Sequence, residues 1–161
     1  LLSNRVFVYR HDHLVLPLGI VAYNFTEGLR HMGYTHHWKK VNEITDEHVD
    51  FVNRIIDLYE KESGKKIVNG LGEEGTHPTV TTELISLNGE EDQGCETLYL
   101  KPGEEGLQFC KTNRRKYDAV VCAVLAYLES QGVVEEVDSD GSMDNEKEWA
   151  TARALLDRAL A

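Results

Sequence analysis

The run Lys111-Thr112-Asn113-Arg114-Arg115-Lys116 places four cations side by side in a chain whose formal charge is -11. Tyr117 and Asp118 follow directly. The run falls where a strand is expected to end and a helix to begin. Backbone N–H groups at a helix start, with Lys and Arg beside them, make an anion site, and arginine grips a phosphate or carboxylate through two parallel hydrogen bonds. The ligand-binding residues expected here are Lys111, Thr112, Arg114, Arg115, Tyr117 and Asp118, with Thr112 or Asn113 capping the helix. The competing reading is a solvated surface on which Asp118 and nearby glutamates pair the cations.

Other patterns carry weaker chemistry. Asp138, Asp140 and Asp144 with Gly141 resemble part of a calcium loop, but Glu136 stands at its first position and Lys147 where a bidentate Glu is needed. A turn followed by a helix cap explains the same residues. Six of the seven histidines lie within the first 48 residues. His11 and His13 share one face of an extended strand and could hold zinc with a third ligand; a surface role for these histidines is the simpler reading. Gly70 to Gly75 spells GxGxxG, but Pro78 and a β-rich run follow where a helix should start, and Glu73 and Glu74 would repel a pyrophosphate. It reads as a flexible loop. Cys95 or Cys110 could pair with His77 as nucleophile and base, without local support. Glu83, Glu90, Glu91 and Asp92 read as a solvated acidic tip. No metal ligand set and no cofactor is assigned.

The elements that must position these residues follow from periodicity. Arg5 to Tyr9 reads as a strand and Leu18 to Met32 as a helix. YTHHWKK, from Tyr34, reads as a loop. Thr45 caps a helix that carries Val49, Val52, Ile56 and Tyr59 at helical spacing and ends at Gly64. Lys65 to Asn69 is a short strand. Thr79 to Leu87, an Asn88-Gly89 turn and Cys95 to Leu100 form a hairpin, with Leu107 to Cys110 as the third strand of a meander. Arg115 to Glu129 is apolar nearly all round, so it is expected to be a buried helix across the sheet, with Cys122 as a small core residue. Val133 to Val137 is a strand and DSDGSMD a loop. Asp144 to Ala161 is a last helix with Trp149, Ala152, Leu156 and Leu160 on one face. Strands in the middle with helices on either side give an α+β fold with an antiparallel or mixed sheet, expected as a single domain over residues 1–161.

FCKTNRRKYD (Phe109 to Asp118), the apolar helix after it and VDSDG resemble small uncharacterised bacterial proteins with an FCKT-x-R-K-x-YD segment, an apolar helix and a V-x-SDG segment. NGEEDQGCETLYL is similar to their acidic N-G…C/H-E-T-F stretch. The resemblance spans roughly residues 84 to 157. It implies a single α+β unit and puts weight on Lys111, Thr112, Arg114, Tyr117 and Asp118, without implying a chemistry. Arg115-Lys116 stands where those proteins often have Lys-Pro, so the approach to the helix differs.

The net charge disfavours nucleic acid and anionic membranes, and suits solubility or electrostatic steering to a basic partner. Three cysteines without a CxxC pair exclude a zinc ribbon and disfavour a disulfide framework, which fits a reducing, cytoplasmic compartment. Leu14 to Phe25 is too short to span a bilayer and is broken by Pro17 and Gly19; it reads as core. The chain opens on Leu1 rather than Met, which is expected either where preceding residues are missing or where a tag has been removed. The expected function is a small acidic interaction or regulatory module that binds another protein. The alternative is an enzyme or binding domain for a small phosphorylated or carboxylated ligand at residues 111–118, with Tyr117, Asp118 or His77 as acid–base groups.

Overall fold

Thr45 accepts a hydrogen bond from the backbone of His48, while the His48 ring accepts one from the Thr45 N–H, and this reciprocal cap starts a helix. The helix, α1 (Asp46–Ser63), buries Val52, Ile55, Ile56 and Tyr59, and Gly64 ends it in the left-handed conformation that glycine adopts without strain. This is the helix expected from the sequence. The computed structural model of the chain describes residues 33–141 and 146–161. The expected strand Arg5 to Tyr9, the helix Leu18 to Met32, and His11, His13, His31 and Asp144 lie outside the described residues.

The described residues form an α+β fold with two antiparallel sheets. In the first, β1 (Thr35–Val41) is central. It pairs with β6 (Glu105–Lys111) on one edge and with β7 (Val134–Glu135) and β8 (Asp138–Ser139) on the other. The second sheet joins β2 (Ile67–Val68), β3 (Thr79–Val80), β4 (Ile85–Gly89) and β5 (Leu98–Leu100), all pairing with β4. Helix α2 (Asp118–Ser130) is buried along most of its length and packs against α1 and α3 (Glu146–Leu160). Residues Gly33–Ala161 make one compact unit. No helix among the described residues is long and apolar enough to cross a membrane.

Five expectations are corrected. The segment read as a loop, YTHHWKK, falls almost wholly in the central strand β1: paired His and Lys residues conceal an alternation that puts His36 and Trp38 inward, and after a register shift Val41 is buried as well. The third meander strand leaves the meander, because β6 pairs with β1 rather than β5. Thr79 to Leu87 is two strands folded on each other, with Thr81 accepting at the turn from the Glu83 and Leu84 N–H groups. Asn88-Gly89 is not a hairpin tip. The buried Asn88 amide donates to the Gly70 and Cys95 carbonyls, and its oxygen accepts from the Cys95 N–H. On α3, Trp149, Ala152, Leu155 and Ala159 are buried while Leu160 is exposed, which rotates the expected face.

Candidate functional site

The strand-to-helix junction is built by a tight turn. Asn113 and Arg114 both take left-handed dihedrals, φ 51° and 54°, and the Arg115 N–H donates to the Thr112 carbonyl at 3.0 Å. Two positive φ values with that bond define a type I′ turn. The turn delays the helix, which begins at Asp118 rather than Arg115, and neither Thr112 nor Asn113 caps it. The Arg114 guanidinium lies 4.1 Å from the centre of the Tyr34 ring, a cation–π contact.

The turn sorts the six expected residues into two sets. Arg114 and Arg115 face solvent and Lys111 is half-buried. Thr112 and Tyr117 are buried. The Tyr117 hydroxyl donates to the Glu96 carbonyl at 2.6 Å, and burial pushes its pKa well up. Asp118 turns inward: its Oδ1 accepts from Thr112 Oγ1 at 2.5 Å and meets His36 Nε2 at 2.7 Å. The carboxylate therefore does not pair with the neighbouring cations.

Sequence reasoning missed the rest of this cluster. His36 is fully buried on the inner face of β1, and its second ring nitrogen, Nδ1, bonds Ser139 Oγ. Cys122, one helical turn beyond Asp118, lies 3.5 Å from His36 Nε2 and donates to Asp118 Oδ2 at 3.6 Å. Burial, then the Asp118 charge, pushes the Cys122 thiol well up. Five polar side chains from β1, β8, α2 and the turn thus converge inside the domain. The i, i+4 spacing of Asp118 and Cys122 was visible in the sequence. His36 stands 82 residues from Asp118 and Ser139 stands 103 from His36, so neither had a local signal.

The other candidates scatter. The Cys95 thiol accepts from Asn113 Nδ2 at 3.2 Å, and the Cys110 thiol donates to the Glu96 carbonyl at 3.5 Å, so neither is bonded to His77. Burial pushes the Cys110 thiol up to about 12, which removes the thiolate a nucleophile needs. Asp138 accepts from the Ser139 N–H and Asp140 from the Thr35 N–H, so the first bonds within β8 and the second ties the chain after β8 to β1. The Gly70 to Gly75 loop leads to β3, not a helix, and Asn69 holds it by accepting from the Leu71 and Glu73 N–H groups.

The opposite face of the same strand pair exposes two large apolar side chains. His37 sits across from Phe109, and Leu107 shares their side of the sheet; Leu107 is 70% exposed and Phe109 59%. Lys111 directs its backbone away from β1, donating its N–H to Glu96 Oε2 and accepting from the Glu96 N–H at its carbonyl. By strand alternation, Phe109 turns its backbone groups to that same side, and beyond Gln108 the register against β1 shifts by one residue. Strand β6 is the last in its sheet, and among the described residues no strand pairs with this stretch. No family model matches the chain, and no curated protein or solved structure matches it either.

Proposed function

We propose that this domain is an interaction module that takes an extended segment of a partner protein onto the open edge of β6. The observation that carries the reading is the exposure of Leu107 and Phe109 on an edge strand whose outward backbone groups have no strand partner among the described residues. Edge strands left in that state are templates for another strand, and peptide recognition by strand addition uses backbone bonds for affinity and alternate side chains for specificity. The strip centres on Leu107 and Phe109, because the outward backbone groups of Lys111 are already bonded to Glu96. It matches a segment with two apolar side chains at alternate positions.

The test places a photo-crosslinking amino acid at position 109, with position 71 as control, since Leu71 is 81% exposed. The expected result is one partner captured from 109 and not from 71, which binds the purified chain and weakens at least tenfold on Phe109→Glu. Cross-links that stay within one copy of the chain, or equal capture from both positions, overturn the proposal.

A second reading keeps residues 111–118 as a docking point for a small anion. It is favoured by the inward turn of Asp118: among the described residues, Lys111, Arg115 and Lys116 form no ion pair. Acid–base roles for Tyr117 and Asp118 find no support, because both are committed to internal partners. Phosphate, nucleotides and sugar phosphates should raise the melting temperature of the parent and not of Arg115→Ala; equal shifts in both would remove this reading.

A further inference from the structure

We propose that His36, Asp118 and Cys122 form a binding site for a transition-metal dication of the zinc class, with one imidazole, one carboxylate and one thiolate as ligands. The three donor atoms lie within 4.8 Å of one another. A tetrahedral zinc ion, with bonds of about 2.0–2.3 Å, holds its donors about 3.2–3.7 Å apart. The Cys122 sulfur stands 3.5 Å from His36 Nε2, inside that range, and 3.6 Å from Asp118 Oδ2, whereas His36 meets the other oxygen, Oδ1, so the carboxylate turns to offer one oxygen to the ion. The Nε2–Oδ1 distance of 2.7 Å is a hydrogen bond, and it opens by about half an ångström when an ion takes the place of the hydrogen.

The chemistry of the donors agrees with their spacing. An N, S and O set of this kind suits zinc or cobalt, whereas calcium and magnesium take oxygen. A dication balances one carboxylate and one thiolate, so the loaded site is neutral and suits a buried position. The protons also balance. Without the ion, a neutral His36 with its hydrogen on Nε2 would serve Asp118 and accept from the Ser139 hydroxyl at Nδ1, while the thiol hydrogen points at Asp118. With the ion, the ring hydrogen moves to Nδ1, Ser139 accepts it, and the thiol proton is released to solvent. A hydroxyl serves both states because it donates and accepts.

The surroundings match a metal centre. The ligand imidazole is oriented through its other nitrogen by Ser139, and the ligand carboxylate by Thr112, as outer groups orient ligands in such centres. Ser139, His36 and Asp118 alone have the bonding order of a nucleophile, base and carboxylate. That arrangement leaves Cys122 unused, and the metal site employs it. Three protein ligands leave the fourth tetrahedral position to water or an incoming group.

The experiment uses the whole chain, freed of metal with a chelator and titrated with Co2+ and then Zn2+. The expected result is a 1:1 cobalt complex with a thiolate-to-cobalt charge-transfer band that zinc abolishes. Cys122→Ala and the isosteric Cys122→Ser should lose the band and bind zinc at least 100-fold more weakly. Ser139→Ala should bind about tenfold more weakly. Cys95→Ala and Cys110→Ala should match the parent. Failure of the parent to form a 1:1 complex at micromolar metal, a cobalt complex without the thiolate band, or a band that survives Cys122→Ser overturns the proposal. The parent spectrum decides the matter even if the Cys122 variants fail to fold.

Discussion

The two faces of β1 differ as much as any two regions of this molecule, although they alternate residue by residue. On the inner face, His36 has both ring nitrogens bonded and Trp38 donates its indole N–H to Gln108 at 2.8 Å. On the outer face, His37 stands opposite Phe109, and Lys39 reaches Glu136 across solvent. The inner groups sit where no water replaces a lost partner, so removing one of these bonds is costly. The outer groups are screened and individually worth little. The strand therefore stores its stability on one side and leaves the other available for contact.

Substitutions on opposite faces should break or sharpen this contrast. The largest effect is expected from Trp38→Ala, which empties a fully buried indole site and strands Gln108. It should cost about 4 kcal/mol in denaturant unfolding, against less than about 0.5 for Phe109→Ala. Asp118→Ala leaves His36 and Thr112 without their acceptor and should cost about 3 kcal/mol. His37→Ala, the outer-face counterpart, should move the midpoint by less than about 0.5 kcal/mol. A matching loss for the two histidine-linked sites would erase the distinction. Thr45→Ala, away from both faces, should cost about 1 kcal/mol through the lost cap of α1.

Cys110 gives a test by pH. Its folded-state pKa is raised from 9.0 to about 12, mainly by burial. In the pH window between those values the unfolded thiol loses its proton and the folded one keeps it. The stability linked to this group is thus fully present below about pH 9 and fades as pH rises toward 12. Between pH 9 and 10, Cys110→Ala should show a shallower fall of unfolding midpoint with pH than the parent. The smallest effect should be on the half-buried Cys95, which should alkylate at pH 8 before Cys110 in the native protein, as mapped by mass spectrometry.

Much of the fold was legible where local pattern and tertiary role coincide. Helix α1 has its cap, its apolar stripe and its terminal glycine within twenty residues, so its ends followed from Thr45 and Gly64. Helix α2 was legible from apolar density, but its start was not. Nothing in the letters shows that Asn113 and Arg114 both adopt positive φ, which an arginine does only when its surroundings hold it there. Strand β1 was missed because its alternation carries polar residues on both faces, and pairing with β6, β7 and β8 supplies what propensity lacks. The candidate site was half legible. Thr112 and Asp118 were expected, but as part of an outward anion site.

The sequence by itself determined that the described part is α+β, that α1 and α2 exist, and that a cationic turn interrupts an acidic chain. Those properties rest on contacts only a few residues apart. The tertiary structure decided which way Asp118 points, which histidine meets it, and which edge of β6 stays open. Each depends on partners 82 or more residues away or on strand order, and a pleated strand exchanges its inner and outer residues with a shift of one position.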